Sequence, residues 1–179
     1  QTVITTAGNS VNIQAPTGTA GTFTYNLLSV KEGSANGCSQ AVTGSIVVTV
    51  NELPTATIAG NTEVCLNAPS PDVTFTGAAG VAPYTFTYKI NGGASQTINS
   101  TGNTVSIQVP TGTAGTFVYT LVDVKDASST TCNQAQSGTA TVTVNPLPTG
   151  NFNFTIPSCE TRNITFTDAS VANAGTLNN

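Results

Sequence analysis

The chain contains no histidine, methionine or tryptophan, only four lysine or arginine residues, and few charges of either sign. Each absence excludes a class of function. Without histidine there is no Ser-His-Asp or Cys-His nucleophile, no imidazole general base and no histidine-ligated zinc. Lys31, Lys89, Lys125 and Arg162 cannot build a surface that tracks phosphates, so no nucleic-acid partner is expected. No apolar run approaches the roughly 20 residues that a membrane-spanning helix needs, so a membrane-spanning chain is not expected either. Charged residues make up 7% of the sequence, against about 25% in an average soluble domain. The eight carboxylates are scattered, and Glu52, Glu63, Asp72 and Glu160 show no pairing suited to general acid–base work. Neither an enzyme nor a cofactor is expected. An initiator methionine and a signal peptide are also missing, so an internal or processed piece of a longer polypeptide is expected.

What the sequence has instead is threonine, 34 of its 179 residues, and an internal repeat. Ser10-Val-Asn-Ile-Gln-Ala-Pro-Thr-Gly-Thr-Ala-Gly-Thr-Phe-Thr-Tyr25 returns as Thr104-Val-Ser-Ile-Gln-Val-Pro-Thr-Gly-Thr-Ala-Gly-Thr-Phe-Val-Tyr119. The offset of 94 continues without a gap, and residues 1–55 match residues 95–149 at 30 of 55 positions. Cys38 maps to Cys132 and Cys65 to Cys159; beyond Cys159 the offset slips to 91, matching Val73-Thr-Phe-Thr76 to Ile164-Thr-Phe-Thr167. The organisation expected is therefore one complete unit at 54–147, flanked by the C-terminal part of a preceding unit at 1–53 and the N-terminal part of a following one at 148–179. A period of 94 is too long for a solenoid repeat and suits a β-sandwich domain.

Apolar residues within the unit recur with period 2, the signature of half-buried strands. Val73 and Phe75 alternate with Thr74 and Thr76, and Tyr84, Phe86, Tyr88 and Ile90 alternate with Thr85, Thr87 and Lys89. Val105, Ile107 and Val109, then Phe117, Tyr119 and Leu121, then Ala140, Val142 and Val144 follow the same rule. Glycine, proline and asparagine clusters separate these runs, and no window shows a helical stripe. The fold expected is all-β: tandem immunoglobulin-like antiparallel sandwiches, with Tyr84, Phe86 or Tyr88 filling the volume that a core tryptophan usually takes.

Four cysteines without any close Cys-x-x-Cys pair argue against zinc. Free buried thiols are one reading. Two disulfide patterns are compatible with the repeat: Cys65–Cys132 within one unit, leaving Cys38 and Cys159 paired outside this stretch, or Cys38–Cys65 with Cys132–Cys159 between units. Up-and-down strands would place Cys132 at the pole where its unit begins, close to the opening segment that carries Cys65. The first pattern is therefore expected.

The motif order carries a resemblance. Pro54-Thr, Ile58-Ala-Gly-Asn-Thr-Glu-Val-Cys65, a Thr-Phe-Thr strand and Ala82-Pro-Tyr-Thr-Phe-Thr-Tyr88 come first. Gly115-Thr-Phe-Val-Tyr-Thr-Leu121, Cys132 and Thr141-Val-Thr-Val-Asn-Pro-Leu-Pro148 follow. The chain resembles, over essentially its whole length, the PKD-like or immunoglobulin-like repeats of very large Bacteroidetes surface adhesins, such as the SprB-like gliding-motility adhesins. The resemblance implies export by type IX secretion machinery and an extracellular place at the bacterial cell surface. It also implies neighbouring repeats of the same chain as partners, and a stalk or filament serving adhesion or gliding.

Remaining chemistry is sparse. Asp123 and Asp126 are calcium candidates, because hard cations want clustered oxygens; their counterparts in the first unit are Ser29 and Glu32. Lys31 and Lys125 recur at one position, where a Lys–Asn isopeptide link is conceivable. Asn99-Ser-Thr101, Asn153-Phe-Thr155 and Asn163-Ile-Thr165 fit the N-glycosylation pattern, which a chain rich in asparagine and threonine shows by chance. Non-enzymatic readings are a rigid spacer, a glycan- or surface-binding module without a defined ligand site, and self-association into a filament.

Overall fold

The computed structural model describes residues 2–5, 8–156, 159 and 163–173. The chain divides into two compact units, Gln1–Leu53 and Pro54–Asn179.

The first unit is built on one antiparallel pair, β1 (Gly21–Lys31) and β2 (Ser39–Val50). Phe23 lies opposite Val48, Tyr25 opposite Ile46 and Leu27 opposite Gly44, so the apolar residues gather on one face. At the tip the Glu32 N–H donates to the Cys38 carbonyl at 3.0 Å and the Gly37 N–H to the Ser34 carbonyl at 2.9 Å.

The second unit begins with a sandwich. Its strands are β3 (Thr55–Ala59), β4 (Thr62–Cys65), β5 (Asp72–Ala78), β6 (Thr85–Ile90), β7 (Gln96–Asn99), β8 (Thr104–Gln108), β9 (Gly115–Lys125), β10 (Asn133–Ala135) and β11 (Thr139–Asn145). One sheet has the order β3-β5-β8; the other has the order β4-β11-β9-β6-β7, with β10 also pairing β9. All pairs are antiparallel except β4 with β11. This is an immunoglobulin-like β-sandwich in which the opening segment serves both sheets. The crossing falls at Gly60, whose φ of +125° is a conformation that L side chains avoid. A Cβ there would also collide with the Asp72 carbonyl oxygen.

The period-2 pattern sends Val73 and Phe75 of β5 inward, to meet Phe86, Tyr88, Tyr119, Leu121, Val124, Val142 and Val144 from the facing sheet. Phe75 joins the layers: its ring centroid lies 5.7 Å from Phe86 and 5.2 Å from Tyr88. Tyr84, Phe86 and Tyr88, the candidates for the volume that a core tryptophan usually takes, are all buried. Tyr84 needs a bare backbone opposite it, and Gly77 supplies one: a Cβ there would stand 2.6 Å from the Tyr84 ring. The Tyr84 hydroxyl donates to the Ala79 carbonyl at 2.8 Å. Among the described residues no buried side-chain polar atom lacks a partner.

Beyond the sandwich, β12 (Phe152–Phe154) pairs antiparallel with β13 (Phe166–Asp168). Phe152, Phe154 and Phe166 contact one another on this pair, with centroids 5.6–6.5 Å apart. Among the described residues no helix is long and apolar enough to cross a membrane.

Phe86→Ala should lower the unfolding free energy of the sandwich by about 3–5 kcal/mol, read by chemical denaturation. A loss below about 1 kcal/mol would show that the aromatic group does not hold the two sheets together.

Candidate functional site

The sequence-derived candidates cluster at the C-terminal end of β9, where a bulge decides which side chains meet. Phe117, Tyr119 and Leu121 alternate inward, with Tyr119 and Leu121 buried. Thr87 lies opposite Asp123 while Tyr88 lies opposite Leu121, so Val122 is the extra residue. A bulge reverses the parity of everything after it. Val124 and Asp126 are buried, while Lys125 is exposed and Asp123 is half-buried among the outward positions. The two calcium candidates thus project to opposite sides of the strand and are not brought together. Among the described residues no three cysteine, aspartate or glutamate side chains form a metal-binding group.

Asp126 is instead a loop lock. One carboxylate oxygen accepts the Val81 N–H at 3.1 Å, and the other accepts the Ser128 hydroxyl at 2.8 Å and the Ser128 N–H at 3.3 Å. Its own N–H donates to the Cys132 carbonyl at 3.0 Å, and the Ala127 N–H donates to the Val81 carbonyl at 2.8 Å. Two loops, around 79–83 and 126–132, are therefore fastened to one carboxylate. Burial pushes its proton affinity up, but the Ser128 hydroxyl and the N–H groups of Val81, Ser128 and Cys132 outweigh that and hold the carboxyl below its ordinary value. With its oxygens already accepting these donors, the group acts as internal structure.

The same device stands in the first unit, at an offset of 94. The Ser34 hydroxyl donates to Glu32 at 2.7 Å, and the Glu32 N–H donates to the Cys38 carbonyl. The Ser34 bond, with Cys38 groups beside it, holds the Glu32 carboxyl below its ordinary value. Comparing Asp126 with Glu32 residue by residue hides this equivalence. The signal was the spacing acid-x-Ser followed by Cys, in Glu32-Gly-Ser34 to Cys38 and in Asp126-Ala-Ser128 to Cys132. Lys125 lies opposite Asn133, but Lys31 lies opposite Ser39, so the amide that an isopeptide link requires does not recur.

The cysteine expectation needs correction. No bridge joins any two of the four within the chain; Cys38, Cys65 and Cys159 are exposed and Cys132 is half-buried. Cys132 lies beside Asp126 at one end of β9, with its sulfur 3.2 Å from the Thr130 hydroxyl. Cys65 ends β4 opposite Asn145, next to the Val144–Gly115 pair at the other end of β9. The 11 residues of β9 span roughly 33 Å, whereas bridged Cα atoms lie about 4.4–6.8 Å apart. The expectation went wrong because β4 runs parallel to β11 and carries Cys65 the length of the sheet, away from the pole where the unit begins.

Val3, Ile13, Tyr25, Leu27 and Ile46 help line a shallow, open depression on β1–β2. No protein-family model matches the chain, and no curated protein is significantly similar to it.

Two measurements check these assignments. Intact mass and peptide mapping of the native chain should show no Cys65–Cys132 link with or without reductant, and Cys65 should alkylate faster than Cys132. Because folding lowers the Asp126 carboxyl, its contribution is present above the unfolded carboxylate range and lost as pH falls through the folded value. Thermal stability should therefore drop below about pH 5. Asp126→Asn should be less stable at neutral pH and show a flatter acid limb.

Proposed function

We propose that the chain is a structural repeat region of a large secreted cell-surface adhesin, a stalk or filament that serves surface attachment or gliding. The observation that carries this reading is the repetition of one hairpin in one register. Tyr25–Ile46 and Phe23–Val48 recur as Tyr119–Ala140 and Phe117–Val142, each 94 residues on. Tandem sandwiches of this kind are beads on a line. The Leu-Pro-Thr segment that opens the complete bead is well anchored: Pro54 is fully buried, the Gln136 amide donates to its carbonyl at 3.5 Å, and the Ala56 N–H donates back to Gln136 at 3.1 Å. Proline fixes φ at this point, so the strand starts from a stiff end. The resemblance to repeats of Bacteroidetes type IX-secreted adhesins adds an extracellular, cell-surface setting.

The competing glycan-binding reading finds little support. Sugar platforms are usually exposed aromatic rings, whereas in the complete 54–147 sandwich Phe75, Tyr84, Phe86, Tyr88 and Tyr119 are buried and Phe117 packs against the core; the exposed rings Phe152, Phe154 and Phe166 lie outside it.

Antibodies to the sandwich should label intact cells that carry the full-length protein, and deleting units should shorten the surface projections and weaken attachment. The purified chain should bind no member of a glycan array. Labelling only after lysis, or saturable glycan binding by the chain, would overturn the reading.

A further inference from the structure

The polypeptide enters the complete sandwich at one end and leaves it at the other. Pro54 is fully buried near Gln136, just before β11 begins, and the Ala56 N–H donates to the Gln136 side chain at 3.1 Å. From there β3 and β4 run the length of the sandwich, and β4 finishes with Cys65 opposite Asn145, the last residue of β11. The opening segment and the closing strand therefore lie side by side and point the same way. Thr62, Glu63, Val64 and Cys65 pair in parallel with Val142, Thr143, Val144 and Asn145. Two further bonds extend the ladder at its ends. The Leu66 N–H donates to the Asn145 carbonyl at 2.8 Å, and the Thr141 N–H donates to Asn61 Oδ1 at 2.7 Å.

Tension along the polypeptide acts on these two strands in opposite senses. It draws the start of the opening segment out of one end and the finish of β11 out of the other. In a parallel pair that motion is lengthwise sliding, so the evenly spaced bonds of the ladder are strained together. Were the two strands antiparallel, entry and exit would share one end, and tension would peel the ladder open bond by bond. β3 also pairs β5 and β11 also pairs β9, but neither of those partners is itself pulled. Val64 packs against the core beside the buried Val142 and Val144, so sliding also drags an apolar side chain out of its place.

We infer that the parallel β4–β11 pair is a force-bearing clamp: tension carried through the sandwich loads this pair in shear, and its rupture sets the force at which the sandwich opens. The inference rests on the structural-repeat reading and deepens it by naming the element that bears the load. The two fail separately, because a repeat that opens at low force still labels intact cells.

The test is single-molecule force spectroscopy of the full chain, held by handles at its two termini, with chemical denaturation run alongside. The chain length released, that of residues 54–147, identifies the step. N–H groups face a parallel partner at alternate residues, so the Leu66 bond places the Val64 N–H toward β11 and the Glu63 N–H away from it. Val64→Pro should therefore open at a clearly lower force than the wild type, and Glu63→Pro at the wild-type force. Phe86→Ala should lose more stability to denaturant than Val64→Pro but less unfolding force, since forced opening is governed by the unfolding barrier. A second measurement needs no folded variant of the ladder. With one handle moved from the N terminus to Ser95, the load path crosses β6, β9 and β11 and bypasses β4, so the sandwich should open at lower force. Equal forces in the two pulling geometries would overturn the inference. So would a Val64→Pro force no lower than that of Glu63→Pro or of Phe86→Ala.

Discussion

A sheet whose apolar residues recur every second position has one face that water disfavours, and that face must be covered by another sheet. The rest of the structure follows from this constraint. In 54–147 the cover is present: β5 brings Phe75 against Phe86 and Tyr88, and Leu121, Val124, Val142 and Val144 are shut away from solvent. At about 25 cal/mol per Å² of apolar surface removed from water, such residues supply most of the drive to fold. In β1–β2 the same alternation and the same register leave Leu27, Val30 and Ile46 more than half exposed. Hydrogen bonding alone sets the ladder, and the layer above it sets the burial.

The loops at the Lys125 end obey a second, local rule. A short turn after a long strand leaves backbone N–H groups that need acceptors. Asp126 answers for Val81 and Ser128 together, and Glu32 accepts from Ser34 in the equivalent turn. A carboxylate engaged in this way fixes loop shape and is poorly placed to hold a cation. Asp123 and Asp126 are three residues apart, an odd spacing, so the two acids that stand close in sequence serve different faces.

In the 54–147 sandwich Phe75, Tyr84, Phe86, Tyr88 and Tyr119 are inside and Asp126 is tied to its loops, while Cys65 and Cys132 stand at separate places. Outside that sandwich, β1–β2 leaves aliphatic side chains exposed and β12–β13 leaves aromatic ones exposed.

Period-2 alternation, turn residues and the offset of 94 determined the all-β class, the positions of most strands and the identity of the core, because these depend on local chemistry that each residue carries wherever it sits. The location of Cys65 was decided only by the tertiary structure. Its distance from Cys132 depends on β4 pairing parallel with β11, a choice between sheets made at Gly60 and invisible in the alternation of Thr62-Glu-Val-Cys65. Residues 10–14 make the point most directly. They share the β8 pattern, but a strand is a relation between two segments, and without a counterpart of β5 among the described residues of their unit they stay irregular.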